Sequence, residues 1–234
     1  MTKRIAVVTG AGQGMGRAIA RNLASHNVHV VLVGRTESKL QAVAGEIQAI
    51  NGASTVVPLD ITDVDAVDVF VRTMSDQTVD ILVNCAGDWL IKPLEETIDA
   101  DLQHILDINL IAPYRLSRAF LPNLRKSDNA SIINIGSMAA VGSHPGITAY
   151  TAAKTGLRGL TGSLAQELRG DLIRVVMLST TPANTPMRWS ASPGMDPNML
   201  VEPETIAHVA AMITNLPKGI TINDLLLESM LLEM

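Results

Sequence analysis

Apolar residues in this chain fall in short unbroken runs, separated by longer stretches in which they recur at helical spacing. The runs are Ile5-Ala-Val-Val8, His29-Val-Val-Leu-Val33, Thr55-Val-Val-Pro-Leu59, Asp80-Ile-Leu-Val83, Ser131-Ile-Ile-Asn-Ile-Gly136 and Ile173-Arg-Val-Val-Met-Leu178, with Gly219 to Leu227 closing the series. Short runs with little polar alternation predict strands that are covered on both faces. The intervening segments predict helices over 17–24, over 38–50 (stopped by Asn51-Gly52), from the cap Asp63 to Met74, over 101–124, from Tyr150 to about Arg169, and over 202–215. Strand and helix alternate at intervals of about 20–30 residues, which predicts an α/β fold with a doubly wound parallel sheet and helices on both faces, in a single domain over 1–234.

Three places interrupt the pattern. Pro113 lies inside the 101–124 helix and has no N–H to bond the carbonyl of the residue four back, which is Asn109. A kink follows, or a free acceptor at Asn109 able to hold a water. Gly156, Gly159 and Gly162 interrupt the helix whose stripe is Ala149, Ala153, Leu157, Leu160, Leu164 and Leu168. Each costs about 1 kcal/mol against alanine, so a helix or a cofactor is expected to approach closely there. The segment of about 180–200 holds Pro182, Pro186, Pro193 and Pro197 without periodicity, and predicts a loop or lid over a site.

Composition narrows the classes. The 234 residues carry a net charge of −5 with acids and bases interspersed and no basic stripe, so no nucleic-acid partner is expected. Cys85 is the sole cysteine, which excludes a disulfide within the chain, suits a reducing cytoplasm, and reads as a small packing residue. Met1-Thr-Lys-Arg4 is too short a lead for a signal peptide, no apolar run is long enough to span a membrane, and the histidines show no metal-ligand spacing. The expectation is a cytoplasmic protein without membrane, metal or nucleic acid.

The chemistry sits at strand ends. The first strand leads at once into Thr9-Gly10-Ala-Gly12-Gln13-Gly14-Met15-Gly16 and then a helix. Strand, glycine turn and helix are the setting in which a backbone approaches a pyrophosphate and the helix N-terminus meets its charge. At the end of the second strand, where an acid would bond a ribose 2′-hydroxyl, stands Gly34-Arg35; a missing acid and an arriving guanidinium predict a 2′-phosphate, hence NADP(H). Glu37 belongs to the next helix's first turn. Tyr150 and Lys154 are spaced to share a helix face, and Tyr114 is no rival because its neighbour Arg118 cannot relay a proton. Bringing a phenol from pKa near 10 to roughly 7 needs about 4 kcal/mol, and an exposed ion pair gives at most ~1 kcal/mol. The pair is therefore expected to be partly buried, with a second positive group such as an oxidised nicotinamide.

Taken together, the chain resembles the short-chain dehydrogenase/reductase family over essentially its full length. Thr9-Gly10-x-x-x-Gly14-x-Gly16 is similar to its cofactor turn, Asn84-Cys-Ala-Gly87 to its Asn-Asn-Ala-Gly element with Cys85 in place of the second asparagine, and Asn109, Ser137, Tyr150 and Lys154 fall in the order of its catalytic tetrad. The resemblance implies a Rossmann-type fold. It also implies that Asp60 and Ile61 contact the adenine, that Asn84, Ala86 and Gly87 line the cofactor cleft, and that Thr185 meets the carboxamide. Ser137 would bond the substrate oxygen, Tyr150 exchange the proton, Lys154 hold the nicotinamide ribose and lower the Tyr150 pKa, and Asn109 bind a water leading to solvent. Two departures stand out: Thr180-Thr181 replaces the usual Pro-Gly, with Pro182-Ala183 a possible shifted equivalent, and Asn223 to Met230 replaces the common ending.

The function expected is an NADP(H)-dependent oxidoreductase interconverting a small-molecule carbonyl and a secondary alcohol, carbonyl- or ketoacyl-reductase-like. The alternative is a catalytically weak NADP(H)-binding redox-sensing or regulatory protein on the same fold. The resemblance implies a homotetramer or homodimer through helices 101–124 and 148–169. A substrate pocket is expected from 88–93, 138–146 and 182–200, where Trp89, Leu90, Met138, His144, Met187, Trp189 and Met195 favour a hydrophobic, medium-sized carbonyl. Arg188 reads first as a solvated side chain and second as the partner of a substrate carboxylate or phosphate.

Overall fold

A computed structural model describes residues 3–232, so the outermost ends of the domain expected over 1–234 lie outside the described residues. Seven parallel strands form one sheet: β1 (Ile5–Thr9), β2 (His29–Gly34), β3 (Ala53–Pro58), β4 (Ile81–Asn84), β5 (Ser131–Ile135), β6 (Arg174–Thr180) and β7 (Asp224–Leu227), in the order β3-β2-β1-β4-β5-β6-β7. The unbroken apolar runs have the expected cause. Along β1, Val7 faces a core layer with Leu82, Ile132 and Val175 under one helix face, while Ala6 and Val8 face a second layer with Ile81, Val83, Ile133 and Val176 under the other. A strand covered on both faces has no solvated side to alternate with.

The helices are α1 (Gly14–Ser25), α2 (Glu37–Ala49), α3 (Val64–Thr73), α4 (Asp99–Leu106), α5 (Ala112–Leu124), α6 (Thr148–Glu167), α7 (Pro186–Ala191) and α8 (Pro203–Thr214). Asp63 caps α3 as the sequence predicts, accepting from the Ala66 N–H. Glu37 lies in the first turn of α2. Chain direction reverses about β1, whose neighbours are β2 and β4, so their carboxyl ends open a crevice. Thr9 stitches that opening: its hydroxyl donates to the Val83 carbonyl at 3.3 Å and accepts from the backbone N–H groups of Cys85 and Ala86, each at 3.0 Å.

Four expectations need correction. The helix expected over 101–124 is two helices joined by a π-turn, Asp107–Ile111, in which the Ala112 N–H reaches the Asp107 carbonyl five residues back. The wider coil of a π-turn accommodates the missing Pro113 donor, and such turns are frequent at functional sites. The segment after β6 is not all loop: α7 begins at Pro186 with Thr185 as its cap, and Ala183 pairs with Val201. The final strand is only Asp224–Leu227. Of the three glycines in α6, only Gly156 meets a close neighbour, Leu110 of the π-turn; around Gly159 and Gly162 there is open space.

Candidate active site

Two cavities open at the carboxyl ends of the strands. The first, about 220 Å³, is lined by Gly10, Gly12, Gln13, Gly14, Met15 and Gly16 of the turn, by Arg35, Asp60 and Ile61, and by Cys85, Ala86 and Gly87 after β4. The second, about 410 Å³, lies over Ser137 and Tyr150 between Trp89 and α7. Met15, Thr185 and Met187 line both, so the two form one continuous site.

The turn is built for a close approach. Gly10 has φ +67°, a left-handed conformation that suits glycine, and a Cβ there would stand 2.9 Å from the Ala86 backbone. A Cβ on Gly12 would reach to 3.0 Å from Lys39 Cβ, and one on Gly14, at φ +53°, to 3.2 Å from Thr185. These glycines let the turn pack closely against Ala86, α2 and Thr185 while its backbone lines the first cavity. Arg35 stands exposed at its far rim. Burial works to raise the Asp60 carboxyl, but the Thr62 N–H and hydroxyl donate to it at 2.9 and 2.7 Å, Arg35 adds attraction, and the net effect holds it below the usual range.

At the junction, β5 delivers Ser137, whose hydroxyl accepts from the Ala139 N–H at 3.2 Å. The first turns of α6 deliver Tyr150 and Lys154. Lys154 is 6 % exposed, donates to the Ile135 carbonyl at 3.0 Å, and holds its Nζ 5.7 Å from the Tyr150 ring centre. The π-turn delivers Asn109, which donates through Nδ2 to the carbonyls of Asp88 at 2.8 Å and Ile105 at 3.0 Å and leaves its buried Oδ1 without a partner. Gly87 joins these two groups: a Cβ there would lie 2.8 Å from Asn109 Oδ1 and 3.8 Å from Lys154 Nζ. The structure thus brings Asn109, Ser137, Tyr150 and Lys154 around one junction.

The electrostatics of this chain alone differ from the expectation. Burial raises the Tyr150 phenol above its ordinary value, with the Ser137 hydroxyl acting in the opposite direction. Lys154 is not among the groups that offset this burial; its own burial depresses the ammonium to about 8, and one of its three N–H donors bonds the Ile135 carbonyl. Cys85, half-buried beside Lys154, is pushed up to about 12 by burial, which fits a packing residue and not a thiolate nucleophile.

The Lys154 shift has a measurable sign. Between pH 8 and 10.5 the unfolded chain binds more protons at this lysine than the folded one does, so the cost of burying the ammonium is present below pH 8 and is relieved as pH rises through that window. Urea unfolding of the wild type and Lys154→Met as a function of pH is expected to show the wild type gaining stability relative to the variant across the window; a constant difference would refute the shift.

Other predicted positions fall less simply. Asn84 is not on the cavity wall: it is 2 % exposed, and its Nδ2 donates to Asn134 Oδ1 at 2.8 Å, continuing through Asn134 to the Thr161 hydroxyl at 2.8 Å. It braces β4 against β5 and α6 behind the cleft, because a buried amide takes the polar partners the neighbouring strand offers. Thr180 ends β6 with a buried hydroxyl that has no partner, facing the second cavity, while the Thr181 hydroxyl accepts from the Ser229 N–H at 3.0 Å and ties down the C-terminal segment. Trp89, Met138, His144, Met187 and Met195 line the second cavity as expected; Leu90 packs instead against Ile105 and Ala149, and Trp189 donates to Asn184 Oδ1 at 2.7 Å.

Sequence reasoning missed Lys39 and Leu232. Lys39 lines the first cavity and donates to Gln13 Oε1 at 2.6 Å; its signal was a second cation in the first turn of the helix that follows Arg35. Leu232 reaches the second cavity from the C-terminal segment, for which the sequence carries no signal.

Comparison with known proteins fits this geometry. The family model described as short chain dehydrogenase matches residues 4–196. An uncharacterised oxidoreductase of Staphylococcus aureus (strain MRSA252) is 30 % identical over 228 residues, covering 96 % of each chain. Among solved structures, a metagenomic short-chain oxidoreductase in complex with NADP is 35 % identical with a TM-score of 0.84, covering 97 % of both chains. An alcohol dehydrogenase from the archaeon Thermococcus sibiricus, complexed with 5-hydroxy-NADP, is 26 % identical with a TM-score of 0.91, covering 100 % of this chain and 99 % of that one. Among the described residues no helix is long and apolar enough to cross a membrane, and no group of side chains could hold a metal ion.

Proposed function

The chain belongs to the short-chain dehydrogenase family of oxidoreductases, and on that premise we propose that it interconverts a carbonyl and a secondary alcohol with NADP(H), using Tyr150 as the acid and base. The observation that carries this reading is the cluster of Ser137 and Tyr150 on the wall of the second cavity with Lys154 and Asn109 buried behind them, next to Gly87 of the first cavity. A dinucleotide fits the residues present: the side-chain-free backbone of Gly10, Gly12, Gly14 and Gly16 walls the first cavity at the N-terminus of α1, with Arg35 and Lys39 also lining it. The turn and the N-terminus of α1 would hold its pyrophosphate, Asp60 and Ile61 its adenine, Arg35 and Lys39 a 2′-phosphate, and Lys154 and Thr185 its nicotinamide end. When bound, the reduced cofactor supplies a hydride for the carbonyl carbon.

The chain supplies the rest. Tyr150, buried and raised, keeps its proton at neutral pH and can give it to a carbonyl oxygen that the Ser137 hydroxyl also bonds. Lys154 is largely charged below pH 8 and, on the same helix face as Tyr150, would hold the nicotinamide ribose. Trp89, edge-on to Tyr150 with ring centres 6.5 Å apart, helps to keep water from the phenol. Self-association belongs to the same proposal: Leu102 and Tyr114 stand 38 % and 43 % exposed on α4 and α5, and light scattering on the pure protein is expected to show at least a dimer, with a monomer contradicting it.

The test is loss of reduced-nicotinamide absorbance with β-keto esters, β-ketoacyl thioesters, diketones, quinones and aromatic aldehydes, with NADPH and NADH in parallel. Turnover with NADPH is expected. NADPH that binds without turnover across the panel would favour a regulatory binding protein.

A further inference from the structure

Resting on the second cavity as the substrate site, we propose that the substrate is a keto acid whose carboxylate is bound by Arg188. Arg188 is only partly solvated. It sits half-buried on α7, its guanidinium carbon 5.5 Å from the centre of the Trp89 ring. Its Nε and Nη2 donate only to the Met195 thioether, at 3.3 and 2.9 Å, which is a weak and uncharged acceptor. No ion pair among the described residues includes it, and no aspartate or glutamate among them lines the cavity. Burial lowers its pKa with nothing to offset the effect. A partly desolvated guanidinium without a counter-charge is unfavourable by itself. Its partner is therefore expected from outside the chain.

The charge and shape of that partner follow. One guanidinium balances one negative charge, which favours a carboxylate over a phosphate dianion, and the planar fork matches a carboxylate with two parallel bonds. Tyr150 touches Trp89 and Trp89 touches Arg188, so the reacting carbonyl and the acid are separated by the width of an indole ring. Met138, Ile147, Met195 and Leu232 give the span between them an apolar wall. The fit is a medium-sized compound with an apolar middle and a single acid at the far end. His144 also lines this cavity, and it is the other side chain there able to carry positive charge.

Phenyl-bearing γ- and δ-keto acids, each paired with its methyl ester, test the assignment with the wild type, Arg188→Gln and Arg188→Lys. The wild-type ratio of kcat/KM, acid over ester, is expected at about 10- to 100-fold, carried mainly by KM. It should fall towards one in Arg188→Gln and to an intermediate value in Arg188→Lys. A wild-type ratio near one, or an unchanged ratio in Arg188→Gln, overturns the proposal while ester turnover leaves the oxidoreductase reading standing. Calorimetric binding of phenylbutanoate against phenylbutanamide to the full chain needs no turnover. Preference for the acid that disappears in Arg188→Gln supports the anion site even if no carbonyl is reduced; equal binding overturns it.

Discussion

Replacing Tyr150 by phenylalanine is expected to reduce carbonyl turnover by about 10²- to 10⁴-fold, the range a positioned general acid supplies, while NADPH still binds. The physical reason is specific to this site. The ring of Tyr150 is packed against Trp89 and beneath Lys154, and phenylalanine keeps that packing while removing only the oxygen. Water in the cavity is a poor substitute donor, because it is a far weaker acid than a phenol and is not held by the helix that positions Tyr150. The raised pKa also sets the direction: at neutral pH the phenol is protonated and ready for reduction, whereas alcohol oxidation needs the phenolate and should accelerate as pH rises. Cofactor binding by fluorescence alongside initial rates separates the two effects. Near-wild-type turnover in the variant would remove Tyr150 from the chemistry.

The second large effect concerns the cofactor. Arg35→Ser is expected to lower the preference for NADPH over NADH, as a ratio of kcat/KM, by about tenfold, and the double change with Lys39→Gln by about a hundredfold. Arg35 is exposed, so a single contact sits at the low end of what a charge-assisted hydrogen bond contributes. Lys39 adds a second cation from the first turn of α2, also lining the first cavity; its bond to Gln13 at 2.6 Å holds it at the cavity rim. An unchanged ratio in the double variant would place the 2′-phosphate reader elsewhere or make the enzyme indifferent between the cofactors.

What the sequence made legible was set by local rules. Strands such as Val30 to Val33 stood out because burial on both faces leaves a continuous apolar run, and the turn from Gly10 to Gly16 stood out because a backbone that must approach a ligand excludes side chains. The order of Asn109, Ser137, Tyr150 and Lys154 was readable through the family resemblance, and Ser137, Tyr150 and Lys154 lie just after a strand or in the first turns of a helix, where the topology brings such ends together. What was not legible depends on contacts between distant segments. Pro113 announced a disturbance near Asn109, but not that it takes the form of a π-turn whose Leu110 packs against Gly156 of another helix. Asn84 read as cleft wall, and only its pairing with Asn134 across the sheet turns it inward. The burial of Arg188 depends on where α7 lies over Trp89, in a segment whose sequence has no periodicity.

The central claim is that hydride passes between the nicotinamide and a carbonyl carbon in the cavity over Tyr150. The most direct measurement uses NADPH deuterated at the transferring carbon, a ketone that is turned over, and mass spectrometry of the isolated alcohol. The account predicts one deuterium at the carbinol carbon from one face of the nicotinamide and none from the other. An alcohol without deuterium from either labelled cofactor, or no alcohol at all with NADPH bound, would contradict it.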